Sequence, residues 1–315
     1  MKVAEEYRIL IAPLEIAGYY RNISEGFQEC GVEYDFITFN NHRFKYGGQT
    51  RSSVILKLAV HLQLTRKKYV KAKILRFVLG FLEETLRSIW ALSVTPRYNV
   101  FVFPFARSLL RYNLDLPLLK FLRKTVICNV GHGSEARPSF VNGALQSWDG
   151  SWQPTVEYLA KMSMEQSARL ARIEKYATFV IGAPYSSTQF LSRPIINWFA
   201  LGVPFAGERQ NAQLFSDGKS MDKGDDKKDF VRILHAPSHP ALKGTNSIEA
   251  AIEALRKKGY NIEFTLIQDR PYSEVLQEIN VCDFVIDQIY SDTPLATFAT
   301  EAAWFGKPAV VGGYG

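Results

Sequence analysis

The chain has 315 residues, enough for two domains at the usual 100–200 residues each. With 47% apolar and 22% charged residues it has the composition of a folded globular protein, which excludes wholesale disorder. The net charge of +7 is local: residues 51–87 hold nine Lys and Arg against two Glu, so the remainder is neutral and a general nucleic-acid coat is excluded.

In chain order, short apolar runs read as strands at Arg8–Ala12, Tyr34–Phe39, Asn99–Phe103, Thr125–Val130 and Ala177–Ile181. Between them, Tyr20–Cys30, about Ser52–Ala91, Arg107–Arg123 and Thr155–Tyr176 read as helical. Strands that are apolar throughout and alternate with helices predict a parallel sheet covered on both faces. The stretch 206–230 is polar and dense in mixed charge, and reads as a linker or surface loop. A second alternating series follows. Its strands are Val231–Ala236, Asn261–Ile267, Asp283–Asp287 and Ala309–Val311, and its helices Ser247–Lys258, Ser273–Ile279 and Leu295–Phe305. The expected organisation is a first domain over 1–205, a linker over 206–230 and a second domain over 231–315. Four strands are few for a nucleotide-binding α/β domain, so the second is expected to be incomplete and the sequence a piece of a longer protein.

No run of 18 apolar residues is present, so no spanning helix is expected. The first apolar stretch, Ile9–Ala17, contains Glu15 and lacks a small-residue cleavage pattern, unlike a signal peptide. Cys30, Cys128 and Cys282 are widely spaced, which suits a reducing cytoplasm and gives neither a zinc site nor a disulfide framework.

Ligands of open parallel sheets bind beyond the carboxyl ends of the strands. That rule selects the loop around Gly18, the segment Gly131–Pro138, the segment Pro237–Thr245 and the segment Gln288–Pro294. Lys243, Gly244 and Thr245 precede a helix, with Asn246 as expected N-cap and Glu249 as its capping-box partner. A helix N-terminus with a nearby lysine suits phosphate, but KGT alone is a weak signal, and a surface lysine before a capped helix is the reading these residues favour by themselves. The spacing is not that of a P-loop. Glu301 shares a helix face with Phe298 and Phe305, and is either partly buried, as an acceptor for sugar hydroxyls, or solvated. His132, between two glycines at a strand end, is either a base or hydrogen-bond donor to substrate or a structural histidine. Glu135 and Arg137 orient one another or a ligand. Phe140, Trp148 and Trp152 stack on a sugar or cap the domain. The basic segment 51–87 interleaves Lys and Arg with Ile55, Leu58, Ile74, Phe77 and Phe81. It reads either as helices resting on an anionic bilayer or as core-facing helices with a solvated basic face.

These stretches also resemble a known family. His235–Thr245 (HAPSHPALKGT), Glu249–Leu255, Asp283–Gln288 and Glu301–Pro308 (EAAWFGKP) are similar to the donor domain of retaining glycosyltransferases of the GT-B fold. Ile16–Tyr20 (IAGYY) and Gly131–Pro138 (GHGSEARP) are similar to the acceptor domain of that group. The resemblance implies an α/β protein with two Rossmann-like domains whose parallel sheets face across a cleft. It implies transfer of a sugar from a nucleoside-diphosphate sugar to a glycan or lipid-linked acceptor, with retention, in surface polysaccharide or glycolipid synthesis. On that resemblance Lys243 neutralises the leaving diphosphate, Glu301 holds the ribose, and His132 joins them as a catalytic residue. His235, Ser238, His239, Gly244, Thr245, Asp287, Leu295 and Ala296 complete the donor site. Gly18, Gly133, Ser134, Glu135 and Arg137 line the acceptor side with His132. No metal or other cofactor is expected, and the location implied is cytoplasmic, with a possible membrane surface through 51–87. Three departures stand out: Thr293 replaces the first glutamate of the family's pair, Pro240 stands where an arginine is usual, and Thr293–Ala296 replaces a Gly-rich turn. They leave two alternatives, a non-catalytic nucleotide- or glycan-binding protein and a sugar-nucleotide epimerase.

Overall fold

The computed structural model describes residues 7–16, 18–39, 53–69, 71–133, 135–139, 154–183, 189–197, 229–289 and 296–312. The linker 206–228, Ser134, Phe140, Trp148, Trp152, Thr293 and Leu295 lie outside the described residues. The chain divides into two compact units, one of residues 1–42, 46–138 and 162–202, the other of 43–45, 139–161 and 203–315.

The first sheet has six strands: β1 (Arg8–Ile11), β2 (Glu33–Phe36), β3 (Val100–Phe103), β4 (Thr125–Asn129), β5 (Phe179–Gly182) and β6 (Ile196–Asn197). They are all parallel and run in the order β2-β1-β3-β4-β5-β6. Helices α1 (Tyr19–Glu29), α2 (Val54–Tyr69), α3 (Lys73–Val94), α4 (Leu116–Phe121) and α5 (Val156–Tyr176) connect them. β3 reads VFVF and is buried at every position, as a strand covered on both faces requires. Phe101 and Phe103 share a core with Leu10, Trp90, Leu116, Leu119, Leu170 and Ile173.

The second sheet has four parallel strands, β7 (Val231–His235), β8 (Ile262–Leu266), β9 (Phe284–Ile286) and β10 (Ala309–Val310), in the order β8-β7-β9-β10. Helices α6 (Pro240–Lys243), α7 (Thr245–Lys257), α8 (Tyr272–Val281) and α9 (Thr297–Trp304) complete it. Leu234, Leu276, Ile279, Val285 and Ala302 form a core on one side, and Ile233, Ile248 and Ile252 a second cluster. Both sheets place the second strand outside the first and then run outward from the first in the other direction. The order reverses between β1 and β3 and between β7 and β9, the points where such sheets open a crevice.

The α/β class and the two parallel sheets agree with the sequence expectation, and several elements differ from it. The helical run expected over Ser52–Ala91 is two helices. Ala72 takes an extended conformation at the start of α3, which folds back along α2. Leu56 therefore shares a core with Trp90, while Arg66 meets Glu83 further along the pair. The helix expected over Arg107–Arg123 reduces to α4. Asp115 holds the preceding loop by accepting from the backbone N–H groups of Leu109 (3.1 Å) and Leu110 (3.2 Å) and from the Ser108 hydroxyl. Tyr112 and Asn113 are left-handed there, and Pro117 opens the short helix that follows. β6 and α6 had no expectation. The capping box of Asn246 and Glu249 is absent: α7 begins at Thr245, and Gly244, left-handed at φ 77°, is its N-cap with no side-chain hydrogen bond. The N–H groups of Ser247 and Ile248 both reach the Gly244 carbonyl, which places Asn246 inside the first turn.

Candidate functional site

In the second unit the carboxyl ends of β7 and β9 meet at the order reversal. His235 closes β7 and is wholly buried. Its Nδ1 lies 2.7 Å from the carbonyl oxygen of Ile286, so Nδ1 carries the proton and donates. Nε2, 2.9 Å from Thr245 Oγ1, accepts from that hydroxyl. Burial lowers the histidine's pKa, in keeping with the neutral ring. His235 and Thr245 thus bolt both strand ends to the first residue of α7 and present no free polar edge.

The turn before α7 is packed against the segment after β9. A Cβ at Gly244 would lie 2.7 Å from Ile289 Cδ1, and the Ile289 N–H donates to the Lys243 carbonyl at 3.1 Å. That approach brings Lys243 Nζ to 3.4 Å from Asp287 Oδ1, with a hydrogen bond to Gln288 Oε1. The lysine keeps 22% of its side chain exposed, whereas the Asp287 side chain keeps 2%. Asp287 Oδ2 is buried with no hydrogen-bond partner. Ser238 and His239 are exposed beside this turn, and Pro240 forms the first turn of α6. Ala296 is the N-cap of α9, its carbonyl accepting from the Thr300 N–H and hydroxyl.

Glu301, on α9, is buried and accepts from the Tyr272 hydroxyl at 2.7 Å. Of the two readings left open by its position between Phe298 and Phe305, the buried one holds. Burial pushes its pKa up to about 8. The Tyr272 bond opposes that shift and the negative charge of Asp287 adds to it. At neutral pH Glu301 is therefore mainly a carboxylic acid, able to donate one hydrogen bond and accept others.

The first unit gathers a different set at its own strand ends. Gly18, left-handed at φ 79°, is the N-cap of α1 and makes no side-chain bond. Glu15 supplies what Gly18 lacks. Its carboxyl accepts from the N–H groups of Ile16 (2.6 Å), Tyr20 (3.3 Å) and Arg21 (2.9 Å). Burial outweighs those bonds and raises its pKa to about 7. Beyond β4, His132 Nε2 lies 2.8 Å from the Tyr20 hydroxyl. Burial lowers the His132 pKa to about 3 and raises that of Tyr20, so the phenol donates to the neutral ring. The nitrogen a general base would use is thereby engaged. Glu135 Oε1 accepts from the backbone N–H of His132 at 2.6 Å, and Oε2 is buried with no hydrogen-bond partner among the described residues. Burial raises the Glu135 pKa to about 7, with Arg169 and Arg137 opposing the shift. Gly133, at φ 140°, lets the chain turn between these residues, and Arg137 is buried nearby.

Glu15, Tyr20, Tyr272 and Gln288 were not among the site residues expected from the sequence, although Tyr20 and Gln288 lie in the segments it selected. Glu15 carried a usable signal, a lone acid in an otherwise apolar loop ahead of a helix-starting glycine. Tyr20 and Tyr272 look like ordinary amphipathic-helix residues. Among the described residues no three His, Cys, Asp or Glu side chains gather as a metal ion would need.

No family model matches this chain, and no curated protein matches it. Solved structures of similar shape include the Methanocaldococcus jannaschii UDP-GlcNAc 2-epimerase in complex with UDP-GlcNAc and UDP, at 11% identity and TM-score 0.42, covering 96% of this chain and 83% of that one. The catalytic domain of Arabidopsis thaliana starch synthase IV bound to ADP and acarbose gives 9% identity and TM-score 0.45, covering 98% and 83%. A Listeria monocytogenes protein described as a UDP-N-acetylglucosamine 2-epimerase gives 11% and 0.40, covering 96% and 78%. Likeness at these scores carries no functional argument.

Proposed function

We propose that the protein moves a glycosyl group from a nucleoside-diphosphate sugar to a glycan or lipid-linked acceptor. The observation that supports this best is the partly exposed Lys243 cation at the β7–β9 reversal, held by Asp287 and Gln288 beside a helix start that no side chain among the described residues caps. A departing diphosphate gains negative charge as the glycosidic bond breaks. A fixed ammonium stabilises that charge more in the transition state than in the ground state, which accelerates the step. Glu301, held by Tyr272 and mainly neutral, serves the donor as a hydrogen-bond partner without repelling its phosphates. Pro240 adds no charge where the resembled family carries arginine, so Lys243 carries more of the neutralisation.

Two pairings favour a second reading, a binding protein without transfer. Lys243 is already paired with Asp287, and His132 Nε2 with Tyr20.

The melting temperature is to be measured against UDP, GDP, ADP and CDP, each with and without its sugars. A ligand that binds only the folded state must raise it. The transfer reading expects a shift with one base, lost in Lys243→Ala, and sugar transfer lost with it. A shift without transfer to any of a panel of glycan and lipid-linked acceptors supports the binding reading. No shift with any nucleotide overturns the transfer reading and nucleotide binding alike.

A further inference from the structure

The start of α3 is exposed, with no cover from the described residues. Every residue from Lys71 to Val78 is exposed, including the large apolar Ile74, Leu75, Phe77 and Val78. Ile74 is 82% exposed, Phe77 76% and Phe81 67%. Positions 74, 77 and 81 lie three and four apart, on one face of the helix. Leu64 and Tyr69 on α2 are exposed as well. A patch of this kind marks an interaction surface.

The other end of the helix pair is fixed. Glu83 is buried between Arg66 (2.7 Å) and Arg87 (3.0 Å), and Arg87 lies 5.0 Å from the centre of the Phe39 ring. Beyond it, Leu56, Trp90 and Val94 belong to the first core. The pair is therefore an arm with an anchored base and an uncovered tip.

Its charge selects the partner. No Asp or Glu occurs from residue 36 to residue 82, while residues 54–82 contain seven Lys and Arg. Lys71, Lys73 and Arg76 are exposed among the apolar side chains. A second copy seated on the same patch would set cations against cations. Nucleic acid would meet the cations and leave the phenylalanines in water. An anionic bilayer satisfies both, with lipid phosphates for the cations and the acyl boundary for the rings. No helix among the described residues is long and apolar enough to cross a membrane, so α3 meets lipid along its side.

We propose that the tip formed by the end of α2 and the start of α3 docks on an anionic lipid surface, with Ile74, Phe77 and Phe81 entering the headgroup–acyl boundary. This stands apart from the sugar-transfer reading and survives its failure.

The test is flotation of the full chain with vesicles of phosphatidylcholine alone, and with vesicles holding about a quarter phosphatidylglycerol. The protein is expected to float with the anionic vesicles and to stay behind with the neutral ones, with binding weakened by salt. The double substitutions Phe77→Ser with Phe81→Ser, and Lys71→Glu with Lys73→Glu, are each expected to lower binding about tenfold or more. Both sets are exposed, so far-ultraviolet circular dichroism and melting temperature should not change. Absence of binding to either vesicle overturns the proposal, as does equal binding by wild type and both variants. A dimer seen by sedimentation and dissolved by Phe77→Ser with Phe81→Ser, without vesicle binding, assigns the patch to a second copy instead.

Discussion

The two units solve one problem in opposite ways. Each has its first strand beside the order reversal, and the first long helix after that strand, α1 in one unit and α7 beyond the one-turn α6 in the other, starts at a left-handed glycine, Gly18 or Gly244. Such a start exposes backbone N–H groups that favour an anion. The first unit fills the position from within, since Glu15 accepts three of those N–H groups or their neighbours. In the second unit no side chain among the described residues accepts from the start of α7, and Lys243 stands immediately before the turn. One topology thus yields a closed helix start in one unit and a cationic one in the other. What the loop carries decides whether the crevice can take an external phosphate.

The largest effect expected of this contrast is on pH dependence. Glu15 and Glu135 titrate near 7 and Glu301 near 8 when folded, all above the ordinary carboxylate value of 4.5. The folded state therefore binds protons that the unfolded state has released. The stability from these groups is full below about pH 4.5 and is lost as the pH rises through 7 and 8. His132, lowered to about 3, acts oppositely and only below its ordinary 6.5. Between pH 6.5 and 8.5 stability should fall, as measured by urea denaturation at several pH values. Glu301→Gln should remove the upper part of the fall, and Glu135→Gln should lessen the lower part, which Glu15 shares. A flat profile in wild type would break the assignment.

Next in size is Glu15→Ala, which strips α1 of its carboxylate and leaves partly buried donors without an acceptor. It should cost about 2 kcal/mol in denaturant unfolding. A loss as small as that of an exposed substitution would mean that water replaces the carboxyl, and the closed start would in truth be open.

The smallest effect distinguishes strain from crowding. At Gly259, with φ 93°, an added methyl would meet nothing within 4 Å, so Gly259→Ala reports the left-handed backbone cost alone, about 1 kcal/mol. Gly244→Ala adds the contact with Ile289 and should exceed it by roughly another 1 kcal/mol. It should also weaken any nucleotide-induced rise in melting temperature, because Lys243 is positioned by the same contact. Equal costs at the two glycines would mean that Ile289 moves aside freely.

Periodicity and turn residues made the sheets legible, because strands covered on both faces are apolar whatever their neighbours. The helix expected over Arg107–Arg123 failed for a local reason: the side chain of Asp115 captures the N–H groups of Leu109 and Leu110 and organises a loop from residues whose spacing is equally helical. In the site, Lys243, Asp287 and Glu301 could be named from sequence, but not their pairing. The bond from Tyr272 to Glu301 joins two helices, and nothing in either segment specifies the other. His235 shows the converse. Its motif context pointed to a ligand, and its partners are Ile286 and Thr245 within the fold.

The Tyr20–His132 bond joins residues 112 positions apart. Closing so long a loop is entropically costly, and contacts of that span are gained only once the intervening strands have paired. The ring and the phenol should therefore meet late on the folding pathway. Tyr20→Phe should accelerate unfolding while leaving the refolding rate nearly unchanged.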